Sequence, residues 1–267
     1  RNLNLHDQEQ PVNHIMLLAA CLAAGISGAN AARDEGTVRL QHTDYSQGYG
    51  SREMVEFGYV RRRDGHVLAV SAARGRREAD GRSRWGQRLD ASLYRQWSTR
   101  LGTRTALTWG NDEKVFARRG IDQNVVLKMG RQYTATAGAR LTRHTADVDA
   151  SAFYLQGARY FNGAVFSLRH TRYHAAGRAG SHATLAALRL DDRAGSTSIW
   201  LGQGTAVHEY EWDEGVFRGR FHSIAVQRQQ PLGTRWVARA SVEKALNDTG
   251  LLRYQARGVS LGLSARW

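Results

Sequence analysis

The sequence predicts an all-β fold, an antiparallel up-and-down transmembrane β-barrel of about fourteen strands, or about twelve if the weakest segments fail to pair. Three observations carry this. The last nine residues alternate without a break, with Val259, Leu261, Leu263, Ala265 and Trp267 on one face and Ser260, Gly262, Ser264 and Arg266 on the other. Chain ends are usually polar and frayed, whereas the final strand of a barrel closes the wall and sets an aromatic at the lipid–water boundary. The connections between segments are short and long in turn, as where tight periplasmic turns alternate with longer extracellular loops. Finally, Trp97, Trp109, Tyr133, Trp236 and Trp267 fall near segment ends, where they would form interface girdles.

Composition agrees. The 267 residues are 42% hydrophobic, with a mean hydropathy of −0.52. That is too polar for a helical membrane protein, and no run of about 18 apolar residues occurs. A wall that shows only every second residue to lipid needs no more. Glycine is abundant at 28 and proline scarce at 2, which opposes disorder and suits central strands. The net charge is +14, and lysine stands only at 114, 128 and 244, so 38 basic residues less these three leave 35 arginines. They are spread along the chain with no basic tail or helix, so no nucleic-acid partner is expected. Cys21 is the single cysteine, and the exported chain would hold no disulfide.

Residues 1–32 are read as upstream residues plus a signal peptide, and 33–267 as the barrel. Ile15 to Ile26 is the one strongly apolar segment, too short to span a bilayer. Ala29-Asn30-Ala31 follows as an A-x-A site, predicting cleavage after Ala31. Leu18-Ala19-Ala20-Cys21 also has the form of a lipobox for acylation of Cys21, and a buried helix is the other structural reading.

The strands are then read in order. Thr37–Asp44 is followed by Glu53–Arg62, with Val55, Phe57 and Tyr59 on one face. Asp64-Gly65 turns into His66–Arg74, and a long connection 75–83 leads to Arg84–Trp97. Leu101-Gly102 turns into Thr103–Trp109, and a longer loop runs over Asn111–Gly120. Gln123–Gly130 turns through Arg131-Gln132 into Tyr133–Arg143. Val148–Tyr160 reaches Asn162-Gly163, the strongest hairpin signal in the chain, and Ala164–Tyr173 returns. His182–Leu190 and Ser196–Gly202 are joined at Asp192–Gly195, Phe217–Arg228 and Arg235–Lys244 at Pro231–Gly233, and Leu252–Trp267 closes the set. Further long connections are 174–181, 203–216 and 246–251.

A family resemblance appears at mid-chain. Phe153-Tyr154-Leu155-Gln156-Gly157-Ala158-Arg159-Tyr160-Phe161-Asn162-Gly163 leads to Trp200-Leu201-Gly202-Gln203-Gly204, with Val115-Phe116-Ala117-Arg118-Arg119 upstream. This resembles the YaiO family of outer-membrane β-barrel proteins over most of 36–267, with Ala117 where the family pattern carries proline. The resemblance implies an outer-membrane barrel, sometimes linked with tetratricopeptide modules and surface-polysaccharide systems. It brings no catalytic residues to carry over.

The polar face of such a wall lines the lumen. Arg39, Arg104, Lys128, Arg140, Arg169, Arg189, Arg235, Arg239 and Arg266 are assigned to it, against the acids Glu56, Asp90 and Glu243. This set would either favour anionic solutes or form an arginine–carboxylate network that stiffens a narrow barrel. The loop 203–216 carries His208, Glu209, Glu211, Asp213 and Glu214 around Tyr210 and Trp212. No ligand spacing is present, so it reads as a solvated loop rather than a Ca²⁺ or Mg²⁺ site, and neither metal nor cofactor is expected.

The rival class is an outer-membrane barrel enzyme acting on lipid or acyl chains. Its candidates are His222 beside Ser223 and Ser181 beside His182. Neighbours on a strand face opposite sides, so neither pair forms a couple by itself, and no catalysis is expected. The expected role is a channel, or an accessory component of envelope polysaccharide export or surface organisation. Expected partners are outer-membrane lipids and lipopolysaccharide, the barrel-assembly machinery through the C-terminal strand, and envelope polysaccharide or anionic solutes.

Overall fold

A computed structural model describes residues 33–267 apart from 80, 113–114, 146–147, 176–179, 206–218 and 249–252. The signal segment with Cys21 and the acidic loop centred on Trp212 therefore lie outside the described residues. The described residues form fourteen strands: β1 (Arg33–Tyr45), β2 (Ser51–Arg63), β3 (His66–Ala79), β4 (Arg82–Gln96), β5 (Leu101–Gly110), β6 (Arg119–Met129), β7 (Tyr133–Thr145), β8 (Val148–Phe161), β9 (Ala164–Ala175), β10 (Ser181–Asp192), β11 (Gly195–Thr205), β12 (Arg220–Leu232), β13 (Trp236–Asp248) and β14 (Arg253–Arg266). Each pairs antiparallel with its sequence neighbours, and β1 pairs with β14 to close the barrel. Closure removes the unpaired edges that an open sheet would leave in lipid.

The seam shows why the last strand alternates as it does. Leu40 pairs with Leu261 and Val38 with Leu263, all on the outside. Leu261 is 64% exposed and Trp267 67%, while Ser264, on the inner face, is 0% exposed. The indole of Trp267 lies over Gly36, and its backbone exchanges two hydrogen bonds with Asp34 (3.0 and 3.1 Å). The same inversion runs around the barrel: Leu, Val, Phe and Ile stand outward on strand after strand. Soluble monomers rarely expose a large contiguous apolar patch, and in an outer-membrane barrel lipid is the medium that covers it.

The start of β1, the end of β14 and the connections β2–β3, β4–β5, β6–β7, β8–β9, β10–β11 and β12–β13 lie at one rim, the periplasmic one by the usual barrel topology. Trp97, Tyr133, Trp236 and Trp267 stand outward there. Trp109 stands toward the opposite rim, joined by Trp85, which the sequence reading did not select. Along β4, twelve residues separate Trp85 from Trp97. At about 3.3 Å per residue and a tilt of about 40°, that is about 30 Å, the thickness of a hydrocarbon core with its boundaries.

Several boundaries differ from the sequence reading, three of them with a clear physical reason. The stretch 75–83 is not a long loop: β3 and β4 stay paired to Ala79↔Arg82, and Gly81, at φ +71°, makes a tight hairpin. A charged run looks like loop, but strands of a barrel continue above the membrane, where both faces meet water. Leu101 belongs to β5, so that turn lies earlier, between Gln96 and Leu101. Pro231 and Leu232 end β12, and Gly233, at φ +74°, turns the chain. Proline is tolerated at a strand end where no ladder N–H is required.

Candidate lumen site

Strand parity points Arg39, Arg104, Lys128, Arg140, Arg169, Arg189, Arg239 and Arg266 into the lumen, on the faces opposite the exposed Leu40, Leu107, Leu127, Leu141, Leu168, Leu190, Val242 and Leu263. Arg235 is a correction: it lies in the periplasmic turn between β12 and β13 and is exposed. The shift follows from Pro231 and Leu232 extending β12 and pushing the turn along the chain.

Among the described residues the inward side chains form three ionic clusters, besides the pair of Arg189 with Asp191 at 2.8 Å. Near the periplasmic rim, Glu35 of β1 accepts from Arg239 (2.8 Å), Arg266 (3.2 Å) and Arg62 (3.4 Å). Arg239 also bonds Ser264, which meets Thr37 across the seam at 2.8 Å. Higher up, Glu56 is shared by Arg39 (3.1 Å) and Arg88 (2.9 Å). Arg88 Nε reaches Asp90 at 2.7 Å, and Thr108 donates to the other Asp90 oxygen at 2.8 Å. In the third group Asp122 receives two bonds from Arg140 (3.0 and 2.8 Å) and one from the Tyr154 hydroxyl (2.8 Å), with Arg104 at 3.8 Å. Arg169 stacks on the Tyr154 ring at 4.6 Å and donates twice to Gln156 (2.9 and 2.7 Å).

Above this network the β5–β6 connection turns into the barrel. Val115 and Phe116 are each only 2% exposed and pack on Met54 and Ala73. Arg52 donates to the Val115 carbonyl (3.0 Å), and the guanidiniums of Arg52 and Arg88 both face the Phe116 ring at 5.1 Å. Asn111 anchors the loop's start by accepting from the Gln87 amide at 2.7 Å. The cross-strand pair Gly75↔Gly86 makes the floor: a Cβ on Gly75 would lie 2.9 Å from Phe116, and one on Gly86 2.8 Å from Val115. A cavity of about 270 Å³ remains beside the loop, lined by Arg52, Glu56, Arg88, Arg104, Asp122 and Arg140 among others.

Several of these residues escaped the sequence reading. Arg52, Arg88 and Asp122 share the parity of Glu56, Asp90 and Asn124; Arg52 and Asp122 each lie one residue before the strand starts read from the sequence, whereas Arg88 lies inside the segment Arg84–Trp97 and its parity alone would have found it. The inward turn of Phe116 has no local signal, because its partners are on β2, β3 and β4. The hydroxyl–imidazole candidates are divided by the wall. Ser223 and Ser181 take the lumen parity of buried Phe221 and Ala183, while His222 and His182 take the outward one. His182 instead meets Thr205 at 3.2 Å and lies 5.9 Å from the His170 ring.

Comparison with known proteins places this architecture. The family model described as the YaiO membrane beta barrel domain matches residues 33–211. Among solved structures, the CymD monoaromatic hydrocarbon channel superposes with a TM-score of 0.64 at 7% identity, covering 95% of this chain and 92% of that one. A bacterial polysaccharide outer membrane secretin gives 0.58 at 9%, covering 90% and 100%. An anion-selective porin from Comamonas acidovorans gives 0.50 at 12%, covering 90% and 100%. At these identities the likeness is one of fold.

Proposed function

The chain belongs to the YaiO family of membrane β-barrels and resides in the outer membrane, and we propose that it serves there as a passive channel preferring small anions, narrowed by the inward β5–β6 loop. The observation that carries this is the imbalance of the lumen groups. Glu35 faces three guanidiniums, and Asp122 is shared by Arg140 and Arg104, with Arg169 one ring away. A neutral stiffening network would match each carboxylate with one cation. Here positive charge is left over, and a wet, positively charged constriction concentrates anions and repels cations. The channels and porin of similar fold are compatible with this role, but the selectivity argument rests on this chain's own wall. No catalytic role is proposed.

Planar-bilayer recordings under a KCl gradient test the reading. The reversal potential should take the sign of chloride preference, and the preference should fall when Arg140 and Arg104 are replaced by glutamine. Cation preference, or no conductance, overturns it. The barrel would then fit better the accessory role in envelope polysaccharide export that the family resemblance implies.

A further inference from the structure

The outer wall carries charge where a lipid-facing wall should not. On β3 the outward residues run Leu68, Val70, Ala72 and then Arg74, exposed at the upper edge of the apolar belt. Among the described residues Arg74 has no carboxylate within ion-pair distance, and its guanidinium lies over the Trp85 ring at 4.8 Å. Two strands beyond the seam, Lys244 of β13 and Arg257 of β14 are direct register partners, both exposed and outward. Like charges opposed across a ladder repel, and a cation in hydrocarbon costs more still, so both arrangements call for an external anion.

These cations share one level. Trp236 and Trp97 stand at the same rim, yet the row of register partners from Trp236 passes through Ala265, Gly36, Tyr59 and Val70 to Ala91. Ala91 is six residues above Trp97, so rows climb toward β4 by six residues over five strands. The row of Arg257 reaches Glu78 on β3, four residues above Arg74. The climb over three strands cancels that offset, and Arg257 and Arg74 stand at equal height. By the same reckoning His42 of β1 lies between them. Asp44, which faces Arg257 across the seam, is turned to His42 (3.1 Å), as is Glu53 (3.8 Å), and Arg257 donates to Gln255 at 3.3 Å; among the described residues no carboxylate lies within ion-pair distance of Arg74, Lys244 or Arg257.

Below this level the wall is grooved. A cavity of about 620 Å³ is lined by the outward Leu40, Val55, Val259 and Leu261, with His42, Glu53, Arg74 and Trp85 at its head. A greasy trough beneath a row of cations, at the external boundary of an outer membrane, has the outline of an anionic amphiphile. We propose that this face binds a phosphorylated glycolipid of the outer leaflet. Its acyl chains lie along Leu40, Val55, Val259 and Leu261, and its phosphates are held by Arg74, Arg257 and Lys244. Arginine's planar fork matches phosphate oxygens, and the long side chains carry their charge up to headgroup height. This site is independent of the channel reading, since every residue in it faces away from the lumen.

The test is binding of bisphosphorylated lipid A to the full barrel in detergent, followed by native mass spectrometry. Arg74→Gln/Lys244→Gln/Arg257→Gln should weaken retention at least tenfold, and Arg74→Gln alone measurably. Arg159→Gln, at the opposite rim against Tyr133 and Phe161, should leave it unchanged. Heat-modifiable migration reports the fold of each variant. The proposal is overturned if dephosphorylated lipid A binds equally well, if Arg159→Gln is as damaging as the triple change, or if phosphatidylglycerol competes at equal concentration.

Discussion

Replacing Gly86 by alanine should loosen the inward loop. The added Cβ would stand 2.8 Å from the Val115 Cβ and 3.1 Å from Phe116, closer than real carbons approach, and overpacking of this kind costs about 1–3 kcal/mol. The docked loop is held by burial of Val115 and Phe116, about 1.5–3 kcal/mol each, and by the Arg52 hydrogen bond, about 1.5–3 kcal/mol for a charged donor. Any penalty of about 1–3 kcal/mol on the docked state raises the ratio of released to docked loop by about 5- to 150-fold. Single-channel recordings should therefore show a larger conductance level visited far more often than in the parent. Gly58→Ala is the matched control, since its Cβ would meet only ordinary contacts at 3.7 Å and beyond. If Gly86→Ala and Gly58→Ala give the same traces as the parent, the loop does not set the aperture.

Other outcomes follow from the same geometry. Arg88→Gln leaves Glu56 without one of its two guanidiniums and Asp90 without its only one among the described residues; breaking such buried pairs costs about 3–5 kcal/mol, read as a lower urea midpoint in vesicles. Arg253→Gln, whose pair with Asp248 is solvent-exposed, should barely move that midpoint. Leu155, on the outer face at mid-strand, is 68% exposed, and in water Leu155→Arg would be harmless. In a bilayer it should cost about 2–4 kcal/mol, and an unchanged midpoint would argue against a lipid-facing wall there. Deleting Trp267 removes both seam bonds to Asp34, so the fraction of heat-modifiable, folded barrel should fall during refolding into vesicles; an undiminished yield would show that closure does not need them.

How much of this could be read without coordinates depends on the range of the forces involved. Alternation is a local signal, because a strand with lipid on one side and water on the other must repeat every second residue. The face of Arg39, Arg140 or Arg239 and the terminal closure at Trp267 were therefore legible. Boundaries were less so: beyond the membrane the outward face no longer needs to be apolar, and the pattern fades although the ladder continues, as from Arg76 to Ala79 on β3. Pro231 and Gly233 both signal turns, and only the register decides that Arg235 lies in the bend rather than in the wall. The Phe116 plug was illegible in principle, since its seat is built by Gly75 and Gly86, 41 and 30 residues away on β3 and β4.

Arginine is the residue that ties these findings together, and its meaning changes with parity. Arg77 and Arg74 stand three positions apart on β3 and serve opposite media. Arg77 points inward, buried, with its guanidinium over Tyr45 and bonded to the Tyr49 carbonyl at 2.9 Å. Arg74 points to lipid against Trp85. A count of charge sees the same +14 in both cases and suggests a nucleic-acid surface. The barrel instead divides that charge between an inner wall, where neighbouring strands supply part of the compensating carboxylate, and an outer rim, where the membrane itself must supply it. Neutralising the inner set should change ion selectivity and stability and leave lipid retention alone. Neutralising the outer set should do the reverse, and variants at Arg140 and Arg74 measured side by side separate the two.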